Sequence, residues 1–477
     1  MILDLFGYDR HGEVREIETT LEKNALSTLD VSLAAMAFNA PAWVTAATMS
    51  VLYSVVGGAA PLAILISFIF PMGVLALCLV YLTRQAPSAG GIFTFSCLFL
   101  HPVVGTILGW AYTISCAAIV PMTAIIATEY IQALVPAAGG PLAAHLIGSG
   151  LIVLFMGVCL RGVALTARVA TVLLACELTV VLGLGLLGIF SPRVDVPTAD
   201  FFRPPGSWTV LGSGVLLGMW MLANFDSAIN YIEESRIPVR TVQRSLLLVL
   251  CGAFVVYMIA AIGWQRAVPV EVLAKIAENG DGGPIGAVAK VYLPPLLSWV
   301  ALFVVVTSAV AGLQVSMTAG ARTAYRMAQE GHLPAVYGRV NRQRAPWLGV
   351  VTIALAGVGL VWYKPLSDVN FYYNTVVVTL ALAYMSALAA FGRLMFRRLR
   401  VGMAILACVL PLLAMAVLGY LMYSAGAAPA DPKDLYQAWY IGAGVLASSL
   451  VFVMAGKRAR PLSAVAEPLA SVVRGET

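Results

Sequence analysis

From residue 28 to residue 456 the chain repeats one pattern, a long run of apolar residues closed by a short polar or Gly/Pro-rich break. The runs lie near 28 to 54, 59 to 83, 105 to 134, 141 to 160, 168 to 190 and 209 to 232. They continue near 246 to 264, 295 to 319, 346 to 363, 368 to 391, 401 to 423 and 437 to 456. Each approaches or exceeds the roughly 20 residues that a helix needs to cross the hydrocarbon layer. Backbone amides in lipid must bond within their own segment, and the alternating pattern of a membrane barrel is absent, so every run is expected to be a helix.

Composition agrees with this reading. The chain has 477 residues, 60% of them hydrophobic and 11% charged, where a soluble domain carries about 25% charged residues. The formal charge of +6 is explained by membrane topology, without a nucleic-acid partner. With an even number of spans both termini share a side, and placing that side in the cytoplasm puts 22 of the 29 basic residues inside. The polar first 26 residues hold no apolar core followed by a small-residue cleavage site, so no cleavable signal peptide is expected. Seven single cysteines and four scattered histidines offer no metal-ligand spacing, and neither a metal nor another cofactor is expected.

Two runs contain polar or helix-breaking residues at mid-span. The first holds Phe38-Asn39-Ala40-Pro41, where proline removes a backbone donor and clashes with the preceding turn. The sixth holds Asn224-Phe225-Asp226, which puts an amide and a carboxyl in the middle of an apolar segment. Such a carboxyl is costly in the bilayer and is by default functional. Transporters built from two inverted repeats bind substrate where corresponding helices unwind, because the freed half-helix ends coordinate polar groups. Runs one and six are five apart, so Phe38, Asn39, Ala40, Pro41, Asn224, Phe225 and Asp226 are the candidate substrate site. A third intramembrane acid, Glu177, lies midway along run five in Leu174-Ala175-Cys176-Glu177-Leu178.

Four further segments carry a family resemblance. Pro87-Ser88-Ala89-Gly90-Gly91-Ile92-Phe93, followed by Gly109-Trp110, is similar to the Pro-x-x-Gly-Gly-x-Tyr loop of the amino acid, polyamine and organocation permease superfamily, with Phe93 in the place of tyrosine. Arg161-Gly162-Val163, followed by Ala167-Arg168-Val169, resembles that superfamily's turn between helices four and five. Ile232-Glu233-Glu234-Ser235-Arg236-Ile237-Pro238 is similar to the acidic close of helix six, and the stretch from Ala321 to Pro334 resembles the one after helix eight. The resemblance covers roughly residues 28 to 400. Arg322, Arg326, Glu233 and Glu234 read either as a latch on the closed state or as solvated anchoring charges.

The resemblance implies a leucine-transporter-type fold. An all-α integral membrane protein of about twelve helices is expected, with inverted repeats at 28–190 and 209–391, two further helices at 401–456, and cytoplasmic segments at 1–27 and 457–477. It also implies a substrate clamped between the breaks in helices one and six. Carriers of amino acids in this superfamily use Gly-x-Gly backbone in helix one, and Asn39-Ala40-Pro41 departs from that; Asn224 likewise replaces a glycine. In proton-coupled members a helix-five lysine stands fifteen residues beyond the glycine of the turn, and the same count from Gly162 reaches Glu177. Three readings of Glu177 stand: a proton carrier, a neutral side chain bonded to Thr307, Ser308 or Ser316, or a ligand for sodium. The expected function is secondary transport of an amino acid or related organic amine across the inner membrane, coupled to protons or to sodium, in contact with lipid and without enzymatic activity. The alternatives are an amine exchanger and a transporter-derived sensor.

The topology has a direct test. With single cysteines at Arg342 or Gly282 in a cysteine-free background, an impermeant thiol reagent applied to intact cells labels the Gly282 site and spares the Arg342 site; the reverse pattern overturns the orientation.

Overall fold

The computed structural model describes residues 20–276, 283–363, 369–427 and 436–455, and every regular element among them is helical. Residues 1–19, Gly282 and the expected tail at 457–477 lie outside the described residues. In the first half the order is α1 (Thr28–Asn39), α2 (Pro41–Val56), α3 (Ala60–Ser67), α4 (Gly73–Gln85), α5 (Ile92–Phe99), α6 (Pro102–Leu134), α7 (Pro141–Cys159) and α8 (Val163–Phe190). Then come α9 (Trp208–Met221), a 3-10 segment (Phe225–Glu234), α10 (Pro238–Ala267), α11 (Val270–Lys275) and α12 (Gly283–Tyr292). The chain closes with α13 (Pro295–Gln329), α14 (Trp347–Tyr363), α15 (Val369–Arg398), α16 (Val401–Ala427) and α17 (Gln437–Ala455).

Among the described residues nine helical stretches are long and apolar enough to cross a membrane, and two shorter apolar helices, Trp347–Tyr363 and Trp439–Met454, accompany them. The first stretch runs 58 residues from Thr28 to Gln85, far more than the roughly 20 one crossing requires. Burial separates interior from periphery. Within the most apolar window of each helix, 83% of α13 and 67% of α6 is buried, against 22% of α7 and 28% of α16. Helices α6 and α13 therefore run through the centre, while α7 and α16 turn most of their apolar surface outward.

Local sequence explains where the elements begin. Ser27 and Asp30 cap α1 reciprocally: the Asp30 amide donates to the Ser27 hydroxyl at 3.3 Å, and the Ser27 amide donates to the Asp30 carboxyl at 2.8 Å. Proline stands in the first turn of α2, α6, α7, α10 and α13, where its missing N–H would have had no helical partner. Several helices outrun their apolar cores. α10 extends from Pro238 through Arg240, Gln243 and Arg244 before the apolar run begins, and α13 and α15 continue to Gln329 and Arg398. Hydropathy reports only the part of a helix that sits in lipid, so these ends fall outside the apolar runs. The short helices α5, α11 and α12 were not expected from the sequence either.

A close helix crossing joins α8 to α10. A Cβ at Gly263 would run into the backbone of Gly185, and one at Gly188 into the backbone of Gly263. Close backbone approach through small residues is the usual source of helix affinity where lipid tails remove the hydrophobic drive. Gly263→Ala is therefore expected to cost about 1–3 kcal/mol by overpacking. Gly252→Ala, on an open face of the same helix, is expected to be neutral in the same thermal denaturation assay.

Candidate functional site

Both mid-span interruptions are true breaks. Helix α1 ends at Asn39, Ala40 adopts the left-handed conformation (φ 50°, ψ 63°), and α2 begins at Pro41. Helix α9 ends at Met221, Asn224 is again left-handed (φ 67°, ψ 3°), and the chain continues as the 3-10 segment. Two non-glycine residues in this region are conformationally costly and persist only where their surroundings fix them. Neighbouring side chains do so here.

The two breaks are tied to each other through one side chain. Asn39 donates its two amide hydrogens to the carbonyls of Met221 and Ala223, both at 2.8 Å, and so satisfies groups freed at the end of α9. Its oxygen accepts a hydrogen bond from the Tyr257 hydroxyl on α10. Asn39 is 2% exposed, and burial of a polar group this complete demands such partners.

Each break also has its own acid. On the α9 side the Asn224 amide donates to the Tyr384 hydroxyl at 2.9 Å, and that hydroxyl donates to Asp226 at 2.5 Å. On the α1 side Glu177 reaches the start of α2. One of its carboxyl oxygens accepts from the Ser308 hydroxyl at 2.7 Å and from the Ala42 amide at 3.4 Å. The Trp43 amide donates to Ser308 at 3.0 Å. Of the hydroxyls considered as partners for Glu177, Ser308 serves, while Thr307 and Ser316 bond back to carbonyls of their own helix. Phe38 and Phe225 are buried apolar neighbours, Ala40 and Pro41 form the break itself, and Asn224 is half-buried.

Sequence reasoning missed Tyr257 and Tyr384, which hold Asn39 and Asp226. It also missed Tyr112, whose hydroxyl donates to Asn230 at 3.2 Å, and Asn230 itself, which donates to the Ala89 carbonyl at 2.9 Å. A tyrosine in an apolar run looks like an ordinary packing residue. The one available signal was its position at mid-span rather than at an interfacial belt.

At one end of the bundle three of the four family-like segments meet, those at 87–93, 232–238 and 321–334. Arg322 makes a two-pronged pair with Glu234, at 2.6 and 2.9 Å, and lies 4.8 Å over the Tyr231 ring. Glu233 accepts from the Ala89 amide at 3.0 Å and faces Arg326 at 3.6 Å, while Arg326 also meets Glu330 at 3.0 Å. Arg322, Glu233 and Glu234 are buried, which rules out the reading of these three as solvated anchoring charges. Leu26, two residues before α1, joins the same cluster: its amide donates to the Glu234 carbonyl at 3.0 Å and the Arg236 amide to its carbonyl at 2.9 Å. The turn at Gly162 is tied in by Asn341, which donates to the Leu160 carbonyl at 2.7 Å. Just beyond α13, burial lowers the pKa of His332 below its ordinary value, and its Nδ1 lies 2.6 Å from the Thr106 hydroxyl on α6.

A family model described as amino acid permease matches residues 30–453. The chain belongs to that family, and with it to the amino acid, polyamine and organocation superfamily. It is a multi-pass membrane protein of a family of permeases, not of enzymes. It is 26% identical over 286 residues to the uncharacterized amino acid permease YecA of Bacillus subtilis, a match covering 59% of this chain and 63% of that protein. It is 25% identical over 235 residues to the putrescine transporter PotE of Escherichia coli, covering 48% of this chain and 52% of the other. A third relative, the low-affinity putrescine importer PlaP of Escherichia coli, is 23% identical over 319 residues, covering 65% and 66%. The matches thus span between half and two-thirds of these relatives' lengths.

The buried pair at the bundle end makes a prediction that separates its two halves. Glu234→Gln leaves the Arg322 charge buried without its partner and is expected to destabilise the permease by about 3–5 kcal/mol. Replacing both, with Arg322→Met and Glu234→Leu, is expected to recover most of that loss in thermal denaturation.

Proposed function

We propose that this permease is a secondary active transporter carrying an amino acid or related organic amine across the cytoplasmic membrane. In this reading Phe38, Asn39, Ala40, Pro41, Asn224, Phe225 and Asp226 line the substrate site, and Glu177 couples transport to protons. The observation that carries it is the junction of the two helix breaks through Asn39, with one buried carboxyl beside each break. Unwound half-helices facing each other at mid-membrane are the means by which such carriers hold polar cargo in a medium without water. The putrescine transport named for two relatives supports the amine end of the substrate range.

The finer architecture goes with this function. Twelve spans follow if the 58-residue first stretch crosses twice and the two shorter apolar helices each cross once. The repeats then lie at 28–190 and 209–391, with 401–456 appended, and both termini and the Arg322–Glu234 cluster face the cytoplasm, where they close the inner route. The position of Glu177 favours the coupling role. It touches α2 at the break and α13 through Ser308, so loss or gain of its proton acts on two segments that must part if the site is to open. Sodium held by Glu177 and Ser308 is the competing coupling ion.

A thermal-shift screen of amino acids and amines first identifies a ligand, since one that binds the folded state raises its apparent stability. Uptake of that ligand by proteoliposomes is then driven by an imposed pH gradient, with and without sodium. Wild type is expected to accumulate it independently of sodium, whereas Glu177→Gln binds it without gradient-driven accumulation. Equal accumulation by Glu177→Gln removes the coupling role. Asp226→Asn is expected to weaken binding of a cationic ligand by about 30-fold or more, and unchanged binding puts the site elsewhere.

A further inference from the structure

The groups released by the two breaks differ in what remains available to a ligand. The first-turn donors of α2 are all engaged. Pro41 has no N–H; Ala42 donates to Glu177 at 3.4 Å, Trp43 to Ser308 at 3.0 Å, and Val44 to the Ala40 carbonyl at 2.9 Å. The N-terminus of a helix is ordinarily where a carboxylate or phosphate binds. In this chain a carboxyl of the protein's own, brought in by α8, already occupies it.

The acceptors behave in the opposite way. The Met221 and Ala223 carbonyls each take one hydrogen bond from Asn39, and a carbonyl oxygen has a second lone pair free. Among the described residues, the buried side-chain atoms of residues 38–44 and 221–227 and of Glu177 that lack any partner are Glu177 Oε1, Ser227 Oγ and Trp43 Nε1. The first only accepts as a carboxylate, the second works either way, and the third is a single neutral donor. Around the site Tyr257 and Tyr384 already donate to Asn39 and Asp226. The paired arginines stand away from the breaks, Arg322 on Glu234 and Arg326 on Glu233 and Glu330.

We infer that the site takes an organic ammonium ion that carries no carboxylate, and that Glu177 and Asn39 are the residues that impose this choice. Glu177 stands in for a substrate carboxylate at the start of α2. Asn39 holds the α9 carbonyls in place while leaving them able to accept from a cation. An α-amino acid entering the site would bury its carboxylate among neutral side-chain donors, the Trp43 indole, the Ser227 hydroxyl and the Asn224 amide, with no cation to pair it, whereas the amine left by removing that carboxylate loses nothing. The inference rests on the transport reading only in taking the two breaks as the ligand site.

The test compares pairs of probes that differ only in the α-carboxylate: putrescine with ornithine, cadaverine with lysine, agmatine with arginine. Equilibrium binding is measured on the full chain in detergent, so no transport is needed. The amine of at least one pair is expected to bind about 100-fold or more tightly than its carboxylated twin, the penalty for burying an unpaired carboxylate. In Glu177→Ala the Ala42 donor is vacated and the gap is expected to narrow by about tenfold. In Glu177→Gln, whose amide oxygen still accepts from Ala42, the gap is expected to persist, and this variant also controls for folding. Twins that bind as well as the amines, no binding by any of the three amines, or equal narrowing in both variants overturns the inference. Discrimination in binding without uptake into proteoliposomes overturns the transport reading and leaves this inference standing.

Discussion

A backbone amide or carbonyl released inside a membrane protein has no water to turn to, and each such group left unpaired costs several kcal/mol. Two helices that break at mid-span therefore create a demand for partners that the rest of the permease must meet. Asn39 meets the largest part of it, because a side-chain amide offers two donors and an acceptor in one rigid plane. It joins the end of α1 to the end of α9 and rests on Tyr257 of α10. Glu177, Ser308 and Tyr384 complete the set from α8, α13 and α15. Almost every long interior element thus touches the breaks through one polar contact.

The same two segments are also joined at their other ends. α1 begins one residue after Ser27, where Leu26 pairs with Ser235 at the close of the 3-10 segment, and it finishes at Asn39 beside Met221 and Ala223. A helix and a 3-10 segment fastened together at both ends behave as one body. Hydroxyl contacts between Ser32 and Ser245, at 3.0 Å, and between Thr28 and Thr241, at 3.3 Å, add α10 to it. Against this body stands α13, held to it by the Arg322–Glu234 pair at one end and to α2, across the break from α1, by the contact between Ser308 and Trp43 near the middle. Opening a path to the site means parting these contacts, and the buried ion pair is the costliest of them to leave half-made.

Much of this was legible in the sequence, and the reason differs from residue to residue. Helical spans show in hydropathy because lipid tolerates little else. Pro41 and Asn224-Phe225-Asp226 announced the breaks, although the left-handed turn falls on Ala40, with Pro41 set in the first turn of α2 where its missing N–H costs nothing. Ser308 was among three hydroxyls named for Glu177, and only geometry separates it from Thr307 and Ser316. Tyr257 and Tyr384 were not legible, since a hydroxyl brought in from a distant helix leaves no local trace. For Arg322 and Glu234 a latch and solvated anchoring charges were the two open readings. Burial excludes the second, and burial at the rim of a bundle depends on how the loops fold over it.

The central claim is that Asn39 joins the two breaks as one polar unit with Tyr257. A double-mutant cycle on thermal stability, comparing Asn39→Leu, Tyr257→Phe and the two combined, tests it most directly. The predicted result is strong non-additivity: once Asn39 is gone the Tyr257 hydroxyl has lost its acceptor, and its removal costs little further. Losses that simply add would mean that the two side chains act independently, and would contradict the account.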